Sequence, residues 1–242
     1  EEYIPLVPLN DVMEADKDNL IMGRFENYAN HGNYYGIDYH VGAAAMMYNK
    51  EIFDAAGVDI NSLVTWEDFY EAGKVIKEKT GKYIMAVETT EHWTYYPLIT
   101  QQGSDFFDAK TGEVILDNQI NIDTLQWLLD GVKEGIFVTM PGGFCHSEEW
   151  YAYMNQGNVA CIAMPLWYLN RFTDYMPDLD GKMSVTTMPV WTEGGANSAG
   201  LGGTGTSVTN QAKNIDLCKE FLFFAKASKE AAIATWTDLG FD

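Results

Sequence analysis

Trp93 and Trp167 are the residues best placed for chemistry in this chain, and the chemistry they suit is recognition of a small polar ligand. An indole or phenol offers a flat apolar face and a polar edge. That pairing fits a sugar ring, whose C–H face stacks while its hydroxyls need fixed donors and acceptors. Trp93 stands in E-H-W-T-Y-Y-P-L-I beside Glu91, so a carboxylate lies next to an aromatic face. Trp167 follows the break at Pro165 in N-V-A-C-I-A-M-P-L-W. Tyr35, Tyr39 and Trp191 flank two segments that change composition abruptly and are further candidates for a ligand-facing surface. Trp66 and Trp127 sit on helix stripes and read as core, whereas Trp150 fits either use. With 14% aromatic residues, composition serves core packing equally well, so position must decide between stacking and burial.

Catalytic and cofactor readings find less support. His31, His40, His92 and His146 form no H-E-x-x-H, and Glu91-His92 is followed by Trp93 rather than by a second histidine one turn on. Glu148-Glu149 and Asp178/Asp180 could act as acid and base only if folding set them across a scissile bond; adjacent residues on a helix point apart. No G-x-S-x-G occurs, and the adjacency of Cys145 and His146 is a poor guide to a nucleophile and its base. The run G-L-G-G-T-G-T at 200–206 lacks the G-K-[ST] ending of a phosphate loop and leads into strand-like T-S-V-T rather than a helix. Asp11, Glu14, Asp16, Asp18 and Glu26 lack the central Gly and distal Glu of a calcium loop and read as solvated acidic surface. No metal, no cofactor and no enzymatic activity are therefore expected. Cys145, Cys161 and Cys218 are widely spaced and read as buried free thiols.

Alternating strand and helix signals must position these residues. Gly42 to Asn49 is a small and apolar run that reads as a buried strand, followed by a helix ending at Gly57. Thr65 and Asp68 predict a capping box for a helix with Trp66, Phe69, Ala72 and Ile76 inward, stopped at Thr80-Gly81. Tyr83 to Val87 then reads as a strand, which puts Glu91 and Trp93 just past a strand end, where ligand-facing loops of α/β folds occur. A helix from about Ile122 to Glu134 is expected to bury Leu125, Leu128, Leu129 and Val132. Ser147 caps a short helix ended by Gly157, and Asn158 to Ala163 reads as a central strand that delivers Trp167 to a rim. Lys182 to Pro189 is another strand; six glycines follow between Gly194 and Gly205, marking unusual backbone conformations or close approaches. A helix from Ile215 to Ala227, with Leu217, Phe221 and Phe224 inward, and a last one from Glu230 to Trp236 capped by Ser228 complete the chain. A short helix is also expected around Asn19 to Tyr28.

The 242 residues at 47% hydrophobic composition suffice for a substantial core. Thirty-five Asp and Glu against 15 Lys and Arg give a formal charge of −20, a surface that repels phosphate backbones and anionic lipid and makes nucleic acid an excluded partner. Neither a signal peptide nor 18 consecutive apolar residues is present, so the chain as given is expected to be soluble and monomeric, with a leader or lipid anchor still possible in its parent.

Six blocks in order, G-N-Y-Y-G-I, Y-N-K with A-G-V, T-W-E-D-F, G-N-V-A, G-G-T-G-T-S-V-T and K-E-F-L-F-F, resemble the extracellular solute-binding proteins of ABC importers. The likeness is to their carbohydrate-binding branch, related to maltose-binding protein. It implies a class II periplasmic-binding-protein-like α/β fold of two lobes, one nearly complete at 41–193 and one partial, built from 1–40 and 194–242. The Gly42-to-Lys50 block and the glycine-rich segment would be crossings between lobes. The resemblance also implies that Glu91 and Trp93 match an acidic residue and an aromatic sugar platform, and that Trp167 matches a stacking aromatic. A neutral mono- or oligosaccharide would be captured between the lobes and delivered to a membrane permease at the cell surface or in the periplasm, with no catalysis; the alternatives are a receptor for another small solute, such as a glycerol phosphate or a peptide, and, from a different class, a carbohydrate-active enzyme. Two departures are visible: Asp38 stands where many relatives carry proline, and Gly42 where the maltose branch has a ligand-contacting acid. The chain is also shorter than such proteins, which points to a fragment.

Overall fold

The computed structural model describes residues 4–38 and 42–239. The chain divides into two compact units, one drawn from Glu1–Val41 and Gly202–Asp242, the other from Gly42–Leu201. The first segment of the smaller unit contains helix α1 (Asn10–Glu14), then 3-10 turns at Lys17–Asn19 and Met22–Tyr28 where a short helix was expected. Strands β1 (Ala29–Asn30), β2 (Asn33–Tyr34) and β3 (Ile37–Asp38) follow. Asp38 receives the Arg24 guanidinium as an ion pair and the Tyr28 hydroxyl at 3.2 Å, which anchors the 3-10 turn to the strand.

The larger unit opens with β4 (Ala44–Asn49), whose residues up to Tyr48 are largely apolar and whose burial extends to both faces. Asn49 ends it by capping α2 (Lys50–Ala56), accepting from the Glu51 N–H at 3.0 Å, and Gly57 closes the helix in the left-handed region at φ 67°. Helix α3 (Trp66–Thr80) starts at the expected capping box: Thr65 Oγ1 accepts from the Asp68 N–H while the Asp68 carboxylate accepts from the Thr65 N–H at 2.8 Å. Then come β5 (Met85–Val87), α4 (Tyr96–Thr100), α5 (Gln119–Lys133), β6 (Phe137–Thr139), α6 (Glu148–Asn155) and β7 (Cys161–Pro165). A 3-10 turn at Leu166–Tyr168 leads into α7 (Leu169–Tyr175), and β8 (Met183–Thr186) is the last strand of this unit.

β4 is the central strand, antiparallel to β7 on one side and to β8 on the other. β5 and β6 pair in parallel, and β5 lies beside β7 through the Tyr83–Val159 bridge and the Cys161 N–H bond to the Ile84 carbonyl at 2.8 Å. Helices cover both sides. Met46 belongs to the core cluster that holds Trp66, Phe69, Ile76 and Phe137, whereas its neighbour Met47 belongs to the one that holds Trp150, Met164 and Tyr168, as the period of two requires.

Two helix faces differ from expectation. On α5, Leu128 is buried but Leu125 and Leu129 are exposed, at 56% and 46%. Its inward face carries Asn121 and Thr124 instead: Asn121 donates to the carbonyls of Asp105 and Ile115, and Thr124 accepts from Gln102. These bonds turn the polar side inward and fix the 102–115 segment. At Gly131 a side chain is excluded, because a Cβ would fall 2.1 Å from the Phe137 ring.

Residues 194–201 belong to the larger unit: the Ala43–Gly200 bridge, Ser198 Oγ to the Ala44 carbonyl at 2.7 Å and Met188 N–H to the Asn197 carbonyl at 2.9 Å hold them there. The chain then returns to the smaller unit with β9 (Gly205–Thr206), antiparallel to β3, and with α8 (Ile215–Ala227) and α9 (Lys229–Ala234), the latter continuing into a π turn at Thr235–Leu239. At Gly205 the Tyr28 ring would lie 2.2 Å from a Cβ, a close approach that accounts for one of the six glycines. α8 buries Leu222 in the core cluster that holds Leu9, Met13, Phe25, Ile37 and Val208, while Leu217, Phe221 and Phe224 are exposed. The helix is apolar on more than one face, and the unit uses the face carrying Cys218 and Leu222.

Candidate functional site

Trp93 and Trp167 converge in the larger unit, their ring centroids 5.8 Å apart and their planes at 86°. β5 delivers the first and β7 the second. Beyond Val87 the chain turns through Glu88 to Trp93 before α4; beyond Pro165 the 3-10 turn sets Trp167 at the start of the run into α7. Both indoles are half-buried. His146 completes the group, stacked on Trp167 at 5.6 Å and 16° and edge-on to Trp93 at 6.4 Å. On the other side His92 stacks on Trp93 at 5.4 Å, and Tyr96 and Phe106 pack edge-on to or tilted against that ring system.

One buried carboxylate fixes the two loops that carry these rings. Glu88 is 8% exposed; its Oε2 accepts from the Thr94 N–H at 3.0 Å, next to Trp93, and its Oε1 accepts from the Cys145 N–H at 2.8 Å, next to His146. The Thr94 hydroxyl in turn accepts from the Glu88 N–H at 3.1 Å. Beneath the cluster, Trp150 Nε1 donates to the Tyr168 hydroxyl at 2.9 Å, which donates to the Cys145 carbonyl at 2.7 Å. Every polar atom of this floor has its partner, which a buried polar network needs to be rigid.

His146 Nδ1 lies 3.1 Å from the Tyr151 hydroxyl. Burial, and after it the positive charge of Arg171, hold the imidazole below its ordinary value, so at neutral pH it is an uncharged ring with one nitrogen engaged. The Cys145 thiol beside it is fully buried and pushed far up by desolvation and by the Glu88 carboxylate, which leaves it a thiol rather than a nucleophile. Cys161 is raised by burial alone. Among the described residues no group of three or more His, Cys, Asp or Glu side chains could hold a metal ion. No helix there is long and apolar enough to cross a membrane.

The sequence-derived candidates therefore separate. Trp93 and Trp167 come together. Glu91 is exposed, its carboxylate 4.0 Å from His92 Nδ1, at the edge of the same cluster. Trp191 is not brought to it: its Nε1 donates to the Leu98 carbonyl at 3.0 Å and its ring packs on Trp127 and Trp66 at 5.4 and 5.9 Å, against the helices of the opposite face. Tyr39 lies outside the described residues. Sequence reasoning missed Glu88, His146 and Arg171. The available signal was modest: Glu88 directly follows β5, and Arg171 follows Trp167 by one helical turn.

A surface cavity of about 270 Å³ elsewhere in this unit, lined by Met46, Ile60, Leu63, Phe69, Met188 and Val190 among others, contains neither a tryptophan nor a charged residue. Asn61, Thr186, Thr187 and Asn197 also line it and could orient a polar solute, but it has no tryptophan face for a sugar ring, so the aromatic cluster is the stronger candidate for stacking.

The family model described as bacterial extracellular solute-binding protein matches residues 2–232. An arabinooligosaccharide-binding protein of Halalkalibacterium halodurans is 52% identical over 238 residues, which are 98% of this chain and 53% of that protein. One from Bacillus subtilis is 46% identical over 239 residues, 99% of this chain and 55% of that protein. Among solved structures, the ABC transporter associated binding protein from B. animalis subsp. lactis Bl-04, in complex with beta-1,6-galactobiose, matches with a TM-score of 0.76 at 23% identity, over 94% of this chain and 56% of that chain. That likeness shows the fold, the class II periplasmic-binding-protein-like fold. The chain spans about half the length of the curated relatives it matches.

Proposed function

The chain belongs to the bacterial extracellular solute-binding protein family, and from this premise we propose that it captures an oligosaccharide of the arabinooligosaccharide class for an ABC importer. The observation that carries the reading is the Trp93–Trp167–His146 cluster: two indoles set edge to face, with a neutral imidazole stacked on one of them. Such rings supply C–H stacking faces for sugar rings, and Glu91 at the edge supplies an acceptor for hydroxyls. Held by Glu88 and the Trp150–Tyr168 floor, the faces stay in place before the ligand arrives, which lowers the cost of ordering on binding.

The ligand's role is to favour one conformation of the whole protein, which then docks on membrane permease subunits; a ligand shifts such an equilibrium only through its differential affinity. Catalysis has no part in it. The identity of the relatives as binding proteins and the fully buried state of the Cys145 thiol both support that view. The protein would act outside the cytoplasmic membrane, as the family description implies.

Calorimetric titration with arabinooligosaccharides of increasing length, with chromatography of the recovered sugar, tests the proposal. Saturable binding and unchanged sugar are expected. A folded protein that binds none of the series, or that shortens it, would overturn the reading.

A further inference from the structure

Arg171 is a cation for which the described residues supply no anion. The chain has two arginines; Arg24 pairs with Asp38, whereas among the described residues no carboxylate lies within ion-pair distance of Arg171. Its Nε–H is sealed from solvent and donates to no acceptor. Shortage of partners is not the reason, because acids outnumber bases 35 to 15. A guanidinium left with an unsatisfied buried donor is costly unless something else satisfies it.

The position is as informative as the lack of a partner. Arg171 and Tyr175 follow Trp167 at four-residue intervals through the 3-10 turn and α7, which puts the three side chains on one side of a continuous helical run. Opposite them stand His146, stacked on Trp167, and Tyr151, stacked on Tyr175 at 4.6 Å and 4°. His146 and Tyr151 are themselves linked at 3.1 Å. The guanidinium carbon lies 6.0 Å from the Tyr175 ring centre, a cation–π contact, and with Nε sealed it is the two terminal Nη groups that would meet an acceptor. Its charge reaches His146, as the lowered imidazole value already indicates.

We propose that Arg171 receives a carboxylate carried by the sugar ligand, so that the subsite beside Trp167 and His146 takes a uronic-acid residue of an acidic oligosaccharide. A planar guanidinium meets a carboxylate through two parallel N–H···O bonds, a geometry that a sugar hydroxyl cannot reproduce. The net charge of −20 opposes an acidic ligand at long range, but that repulsion is screened beyond about 8 Å at physiological ionic strength, whereas a part-buried contact pair is screened much less. The inference rests on the sugar-capture reading and adds to a neutral arabinose chain one residue that carries a carboxylate.

The test is calorimetric titration of the protein with two oligosaccharides of one backbone, neutral and uronate-substituted, alongside the free uronic acid and acetate. The uronate-bearing oligosaccharide is expected to bind about tenfold tighter or more than its neutral counterpart. That preference should shrink at high salt and collapse to near unity in Arg171→Gln. Neutral binding without preference in the wild type, or a preference that survives Arg171→Gln, overturns the assignment while leaving sugar capture intact. Equal affinity for the free acid or acetate overturns it too, since the carboxylate contact would then be separate from the sugar site. Failure of both oligosaccharides removes sugar capture and this proposal with it. Should Arg171→Gln fail to fold, the wild-type comparison alone decides.

Discussion

Replacing Glu88 by Gln preserves size and shape but turns one acceptor oxygen into an amide donor. Both carboxylate oxygens accept backbone N–H groups, from Thr94 at 3.0 Å and from Cys145 at 2.8 Å, so the amide can serve only one of them and sets a second N–H against the other. The site is 8% exposed, and water cannot readily replace the lost partner. A hydrogen bond to a charged group contributes about 1.5–3 kcal/mol and the orphaned donor adds to its loss, so a destabilisation of about 2–4 kcal/mol is expected. For a unit of this size, that lowers the melting temperature by about 5–10 °C. Urea and thermal unfolding, followed by tryptophan fluorescence, measure it. Thr94→Val is the comparison, because it removes only the acceptor of the Glu88 N–H and leaves the carboxylate clamp; it should cost about 1 kcal/mol. Glu88→Gln should also weaken oligosaccharide binding, since the loops it joins carry Trp93 and His146. A stability loss within about 0.5 kcal/mol of zero, the range of ordinary surface changes, would refute the clamp.

Trp167→Ala is expected to weaken oligosaccharide binding about tenfold to a hundredfold while leaving a cooperative unfolding transition; unchanged affinity by calorimetry would remove the residue from the site. His146 has a folded-state value below its ordinary 6.5, so the unfolded chain binds its proton more readily; stability is full above 6.5 and falls as pH drops below it. His146→Gln should flatten that acid-side decline in urea unfolding, and matching slopes for variant and wild type would contradict the assignment. Gly131→Ala would gain helix propensity but force a methyl group into the buried Phe137 ring, and a net loss of about 1–3 kcal/mol in denaturant unfolding is expected. A neutral or stabilising result would show that the ring moves freely.

Local chemistry was legible in the chain, whereas the choice among faces was not. The Thr65–Asp68 box, the Asn49 and Gly57 ends of α2 and the bounds of α8 follow from interactions within a few residues, and sequence displays those directly. Leu125 and Leu129, like Leu217, Phe221 and Phe224, lie on helices whose apolar positions exceed one face; which face turns inward depends on distant partners such as Asp105 and Ile115 for Asn121. The candidate site divides the same way. Trp93 and Trp167 were recognisable as aromatics just past strand ends, but their meeting depends on β5 and β7 lying side by side. Glu88, His146 and Arg171 come from segments far apart, and nothing local marks a carboxylate as a clamp or an arginine as unpaired. Trp191 has a similar local setting to Trp167, yet Leu98 and Trp127 draw it to the opposite face.

The pairing of β4 bears on how the protein reaches its folded state. Both neighbours of this strand arrive roughly 110–140 residues later in the chain, so its mostly apolar residues have no sheet partner until then. A nascent chain holds A-A-M-M-Y-N exposed along two edges until β7 and β8 emerge, and loop closure over that separation sets the pace at which the sheet can zip. Until that closure the unpaired edges of β4 are where the chain is most open to aggregation.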